Sequence, residues 1–567
     1  MLTPTTVDVL IVGAGPVGLI TAIGLEQQGV TSLIIEKRYR DEQATYGRAA
    51  SLFARSLELL EQVDLTEDLV QEGFISRGGV NFKDGKRVDA RGWNLMYQHS
   101  KRSFHDYNLN LRQRYTEDVF RNRYANQGKT VWEGWELVQF SIDTTPDDGC
   151  NISAVLNHSS LGEKHVRSKY IVGADGGSST VRRLASIAED VDPTTHQWIR
   201  IDGKMSTDMP NADVGFGSIA TSDYGHILWV KTDKDAHRIG YALTPSLLAK
   251  YPHGISIEEA TAEAAEGMKP FKLSIDRIDW WTHYKIKQSV VKQFQKEQFI
   301  LLAGDAAHTH SSGFAQGMNT GVHDATNLVW KLAGTCKGWY EPCVLESYAQ
   351  ERHAAATHLI DVDKKAAACI SGDIPKEYAG RGKTAGELVT AIFMENVGFN
   401  IGLDVSYESS VLTGTASDIT VKCGGRAPDA LVYEPGTQLP IRLYSAMLRD
   451  GGFGRWSILV FVGNKATNSG LYSLMTETLS KLVKRHPGMI RLITILGNAT
   501  GSAWDALGRS AWGKFYLDLH GKAHSGYGVD LSQGAIAVLR PDNIFAFGTD
   551  LKSCGEVGAY FEKFTLN

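Results

Sequence analysis

The sequence predicts an α/β fold in which parallel strands lead into helices, and three strand ends predict it. The first 36 residues read strand, glycine turn, helix, strand. A second apolar run, Tyr170 to Val172, leads into Gly173-Ala174-Asp175-Gly176. A third, Phe299 to Ala303, leads into Gly304-Asp305 and then an amphipathic helix. In open α/β sheets, ligands bind outside such carboxyl ends.

At the first strand end, VDVLIVGAG enters a turn in which Gly13, Gly15 and Gly18 make a G-x-G-x-x-G pattern, and Pro16 to Gln28 reads as the helix. The first glycine suits a tight turn, the second a pyrophosphate against the backbone, the third close packing of helix on strand. Glu36 closes the second strand, TSLIIEK, and can take a ribose 2′-hydroxyl. This pattern predicts a dinucleotide and leaves FAD and NAD equally open.

At the second, Asp175 and Gly176 precede a run of hydroxyls and Arg182. The plain reading is a strand-to-helix connection capped by Ser178 or Ser179; the functional one is a ligand-facing carboxylate. At the third, Val322, Ala325, Leu328, Val329 and Leu332 share a helix face, and the helix starts near Gly317. Its free N–H groups would point back toward whatever Asp305 holds, which suits a cofactor with a polyol and an electron-accepting ring.

Residues 78–112 are polar, aromatic-rich and poorly periodic, an excursion from the main sheet. Between 186 and 284, segments such as GHILWVKTD and AHRIGYALT alternate as strands of a half-exposed antiparallel sheet do. Residues 371–420 are rich in Gly, Ser and Thr and read as a linker. From 421 onward SILVFVGN, LITILG and GAIAVLR predict a last strand-and-helix unit.

The 567 residues are 43% hydrophobic and 22% charged, with a formal net charge of −5, which argues against nucleic acid or an anionic membrane surface as partner. Val9 to Leu25 carries no charge, but its glycines and proline suit a buried strand, turn and helix rather than a membrane span. The six cysteines lack C-x-x-C or zinc spacing, as expected of reduced thiols in the cytoplasm. His308, His310, His323, Asp305 and Asp324 have no ligand spacing, so no metal is expected.

In this order, the three motifs resemble the single-component FAD-dependent aromatic hydroxylases, or group A flavoprotein monooxygenases, over about residues 6–365. GGRAPDALV and GAIAVLRPDNIFAFG resemble the tail of the phenol hydroxylase branch. The resemblance implies a Rossmann-type, glutathione-reductase-like FAD domain from residues 1–77, 113–185 and 285–370. Residues 78–112 and 186–284 would form an inserted, mainly antiparallel β substrate domain. Residues 421–567 would be a thioredoxin-like domain without C-x-x-C, in a homodimer. The implied cofactor contacts are Gly13, Gly15, Pro16, Val17, Gly18, Glu36, Lys37, Arg48, Gln113, Asp175, Gly304, Asp305, Gly317, Met318 and Asn319.

The implied reaction uses NADPH or NADH to reduce FAD, then O2 to form a C4a-hydroperoxide that hydroxylates a phenolic or polyketide-like aromatic. Baeyer–Villiger oxygenation or epoxidation of a ketone or quinone, and an uncoupled flavin oxidase or reductase, are the alternatives. Where phenol-type relatives polarise the substrate hydroxyl, this chain has Gly240, Ala50 and Thr232, none able to do so. Ser312 stands where a proline is usual and Ala315 where a glycine is usual. Tyr224, His226, Arg238 and Tyr241 become the candidate activators, with a solvated or core polar role as the plain alternative for each. His226 alternates with Leu228 and Val230 and so shares their strand face.

Overall fold

The computed structural model describes residues 5–43, 48–88, 93–221, 223–463, 465–497, 502 and 513–566. They fall into two units: Met1–Ile23, Thr31–Ala325 and Arg352–Leu403 in one; Gly24–Val30, Thr326–Glu351 and Asp404–Asn567 in the other.

The first unit holds an eight-stranded sheet whose central strands are parallel. Thr5–Val12 lies between Ser32–Glu36 and Gly162–Gly173, and Ile300–Leu302 follows on the far side of Gly162–Gly173. Val12 pairs with Gly173, and Gly173 with Leu302. The three predicted motifs therefore leave the sheet at one edge. These strands are apolar because both faces are covered: Val9, Leu10, Ile11, Ile171, Val172, Leu301 and Leu302 are all inaccessible to solvent.

A seven-stranded sheet in the same unit runs in the order Leu273–Lys285, Gln197–Thr207, His237–Ala242, Gly225–Lys231, Gly215–Thr221, Gly78–Lys83, Lys86–Arg87. It is antiparallel except where Gly215–Thr221 meets Gly78–Lys83 in parallel. One face buries Ile199, Ile201, Ile219, Ile227, Trp229 and Ile239 against Ala260, Ala264 and Met268 of the helix Ile257–Gly267 and its cap.

Residues 371–420, expected as a linker, contain the helices Ala385–Glu395 and Val397–Asn400. Thr384 accepts a hydrogen bond from the Glu387 N–H while Glu387 accepts one from the Thr384 N–H, a capping box that starts the first helix. Leu388, Ile392 and Phe393 then bury on Phe314 and Val362, so this segment is part of the core.

The second unit is a mixed α/β sheet of seven strands. Trp456–Phe461, Ile490–Gly497 and Lys514–Asp518 are parallel, and the hairpin Ala535–Leu539 and Phe545–Thr549 joins antiparallel at Trp456–Phe461. Glu351 is buried here between Lys331 and Arg540, 2.8 Å from each. Among the described residues, no helix is long and apolar enough to cross a membrane.

Candidate active site

Gly13 sits at φ +102°, and a Cβ there would lie 2.5 Å from the Ala174 carbonyl oxygen. A Cβ on Gly18 would lie 2.0 Å from the Gly13 oxygen, whereas one on Gly15 would meet nothing within 4 Å. Two of the glycines thus close the turn and the middle one leaves its outer side open. Pro16 begins the helix Pro16–Gln27, where its missing N–H costs nothing. Glu36 accepts from the Ala14 N–H at 3.1 Å and stays half-exposed; Lys37 is exposed.

The second and third motifs are tied to this turn. Gly304 and Gly321 both back onto Val17, each leaving under 3 Å between a hypothetical Cβ and the Val17 Cγ2 (2.8 and 2.6 Å). Arg182 donates to the Ala306 carbonyl at 2.9 Å and to the Gly177 carbonyl at 2.7 Å. Asp175 Oδ2 accepts from the Thr180 and Val181 N–H groups, and Ser179 is the cap of that short helix. Among the described residues Asp175 Oδ1 is buried without a hydrogen-bond partner, while Asp305 is exposed at its strand end.

Asp324, His308 and Arg352 fix the third turn from below. Asp324 Oδ2 accepts from the Gly304 N–H at 2.9 Å and sits 2.7 Å from His308 Nε2, and Oδ1 accepts from Arg352 Nε at 2.6 Å. Burial alone would raise the Asp324 pKa; Arg352 and His308 outweigh it and hold the carboxyl well below the usual range. His323 is pushed down, first by burial and then by Arg352 and Arg55. Among the described residues no group of three or more His, Cys, Asp or Glu is placed to hold a metal.

The long helix starts at Gln316, one residue before the predicted start, and Gly317 is half-exposed. Met318 and Asn319 are buried. The Asn319 side chain accepts from the Phe53 N–H and donates to the Ser51 and Ala315 carbonyls, so only its backbone is left for a ligand. Gln113 accepts from the Ala49 N–H and donates to Glu117, which holds the chain beside exposed Arg48.

Just before that helix, Gly313 and Phe314 wall a recess of about 730 Å³, open mouth included. Its floor is a row of cross-strand partners, Arg200–Gly240–Leu228–Ser218–Asn81, spanning five strands. His226 also lines it, with Nδ1 3.5 Å from Ser218 Oγ. Val389, Thr390 and Phe393 close it from the helix Ala385–Glu395.

Of the four candidate activators, only His226 and Tyr241 reach this recess. The Tyr241 hydroxyl points away, donating to the Ala260 carbonyl at 2.8 Å, and burial raises its pKa. Tyr224 donates to Glu263, and burial and that carboxylate raise its pKa too. Arg238 is a strut: it forks onto Asp202 at 2.7 and 2.8 Å and donates to the Arg48 carbonyl. The residue that sequence reading missed is Arg200, which alternates along its strand as a solvated residue would.

A family model described as FAD binding domain matches residues 6–363, and one described as phenol hydroxylase, C-terminal dimerisation domain matches residues 405–567. The chain belongs to the FAD-dependent monooxygenases. An FAD-dependent monooxygenase (terD) of Aspergillus terreus is 28% identical, with 98% of this chain and 96% of that protein covered. A 3-hydroxybenzoate 4-monooxygenase of Comamonas testosteroni is 26% identical, with 99% and 95% covered. Aklavinone-11 hydroxylase, solved with FAD and aklavinone, shares the fold at TM-score 0.74, with 20% identity and 99% of both chains covered. The monooxygenase's own residues fit FAD: the open side of Gly15, the orphaned Asp175 Oδ1 and the exposed Asp305 are acceptors and space without an internal use.

Proposed function

We propose that this monooxygenase hydroxylates an electron-rich aromatic ring, phenolic or polyketide-like, with NADPH or NADH and O2. One aromatic ring, one NAD(P)H, one proton and one O2 give one hydroxylated ring, one water and one NAD(P)+. The observation that carries the reading is the recess beside Gly313 and Phe314, directly ahead of the helix that starts at Gln316.

FAD, when bound, supplies the electron transfer and oxygen activation. Gly13, Gly15, Pro16, Val17 and Gly18 would hold its pyrophosphate and Glu36 its adenosine ribose, with Lys37, Arg48 and Gln113 alongside. Asp305 and Gly304 would hold the ribityl chain, and Asp175, with its buried Oδ1, would offer a further acceptor to the cofactor. The backbone N–H groups at Gly317, Met318 and Asn319, at the start of the helix, would offer positive potential to an electron-accepting ring. In the recess, Phe314, Phe393 and Leu228 exclude water, and His226 with Ser218 orients the substrate hydroxyl. Tyr224 and Arg238 support the site through Glu263 and Asp202, without touching substrate.

The dimerisation-domain match supports a homodimer, and six cysteines without disulfides support a reducing cytoplasm. The test measures NAD(P)H, O2, peroxide and product together across a panel of phenols and fused-ring aromatics. At least one ligand is expected to hold peroxide well below NAD(P)H consumed and to yield a hydroxylated ring. Peroxide equal to NAD(P)H with every ligand overturns the reading.

A further inference from the structure

We propose that Arg200 anchors an anionic oxygen of the substrate, a carboxylate or a phenolate, at one end of the recess; only the word substrate rests on the hydroxylase reading above.

Arg200 is 6% exposed and lines the recess. Its guanidinium donates to the Ile199 carbonyl at 2.9 Å and to Ser312 Oγ at 3.0 Å, both neutral acceptors, and rides 5.0 Å from the Trp198 ring centroid. Among the described residues, the other buried arginines of this unit each have a carboxylate: Arg55 has Glu58, Arg112 has Asp233, Arg182 has Glu189, Arg238 has Asp202 and Arg352 has Asp324. Asp202, two residues along the same strand, is spent on both prongs of Arg238.

A buried charge without a counter-ion is costly, and the open volume beside Arg200 is where a counter-ion can enter. Burial accordingly lowers the affinity of this guanidinium for its own proton. The surroundings hold the side chain in place. Across the strands, Gly240 leaves the space that Arg200 fills, since a Cβ there would lie 2.5 Å from Arg200 Cδ and 2.6 Å from Nη1. Ser312 is braced in turn by the Tyr284 hydroxyl.

The far end of the row offers uncharged groups, Ser218 and Asn81, with His226 beside them. At about 4.8 Å per strand, the Arg200 and Ser218 backbones are roughly 14 Å apart. Such a span suits a fused-ring aromatic with an anionic oxygen at one end and a hydroxyl toward the other.

Binding of 2-naphthoate, 2-naphthamide and 2-naphthol to the FAD-loaded, full-length protein, read from the flavin absorbance without reductant, tests this. If the anchor takes a carboxylate, naphthoate binds about tenfold or more tighter than the isosteric amide. If it takes a phenolate, naphthol binding tightens between about pH 7 and about pH 10. Arg200→Gln is expected to abolish either preference while keeping FAD and circular dichroism, and Arg200→Lys to restore part of it. Naphthoate binding no tighter than naphthamide, together with pH-independent naphthol binding, overturns the assignment in the wild-type protein alone. So does an FAD-replete Arg200→Gln that keeps the preference. No turnover is involved, so either failure leaves hydroxylation to the stoichiometry test.

Discussion

Gly240 stands directly opposite Arg200 on neighbouring antiparallel strands, and the space of the missing side chain is occupied by the guanidinium stem. Gly240→Ala is therefore an overpacking change that can be relieved only by moving Arg200. The expected cost is about 1–3 kcal/mol of stability. The denaturant midpoint gives the cost, and a weakened naphthoate preference in the folded variant reports the displaced guanidinium. A Gly240→Ala protein with unchanged midpoint and unchanged preference contradicts this packing.

Ala315 holds a φ of +56°, a conformation that L-residues adopt at a cost of roughly 1–2 kcal/mol. Its carbonyl accepts from Asn319, which fixes that geometry at the start of the long helix. Ala315→Gly removes the steric cost and adds unfolded-chain entropy, so a net gain of about 0.5–1 kcal/mol is expected. A rise in melting temperature with unchanged FAD content checks it; a fall refutes it.

The three strand-end motifs were legible because each is local: an apolar run, then glycine and an acid. Their convergence follows from parallel pairing, which puts Val12, Gly173 and Leu302 in register. Arg200 was not legible, since its meaning depends on Gly240 and Ser312, both remote in sequence, and on its having no ion-pair carboxylate among the described residues. Arg238 and Tyr224 misled for the same reason, their partners Asp202 and Glu263 lying 36 and 39 residues away. The helix Ala385–Glu395 was legible in principle from Thr384-x-x-Glu387, but glycine-rich flanks hid it.

His226 and Tyr241 separate a substrate contact from a structural one. The Tyr241 hydroxyl is spent on the Ala260 carbonyl, so Tyr241→Phe is expected to cost about 1 kcal/mol of stability and leave coupling unchanged. His226→Gln is expected to raise the fraction of NAD(P)H lost to peroxide several-fold with little effect on stability. Parallel peroxide and denaturation measurements decide between them, and unchanged coupling in both variants removes His226 from the mechanism.

Asp305 is exposed at its strand end, so its removal disturbs little of the fold. Hydrogen bonds to a charged group contribute about 1.5–3 kcal/mol, which predicts a roughly 10- to 100-fold weaker FAD affinity for Asp305→Ala. Reconstitution of the apoprotein with FAD, followed by flavin fluorescence, gives the number. An affinity equal to wild type would dissociate Asp305 from the cofactor.

The second unit carries its own test. Burial alone would raise the Glu351 pKa, but Arg540 and Lys331 outweigh it and hold the carboxyl far below its unfolded value of about 4.3. Its contribution to stability is therefore complete above about pH 4.3 and is lost as the pH falls toward the folded value. Burial lowers Lys331 to about 8, so the cost of keeping it charged is present below that pH and is relieved on going up to about 10.4. Glu351→Gln removes the ion-pair partner of Lys331 and leaves Asp542 as the carboxylate facing both Lys331 and Arg540. The expected loss at neutral pH is about 3–5 kcal/mol, and the acid-side fall in stability should flatten because the group that titrates is gone. Denaturant titrations at about pH 7 and about pH 4 measure both effects. A variant as stable as wild type at neutral pH would mean that the cations at this position are compensated by groups other than Glu351.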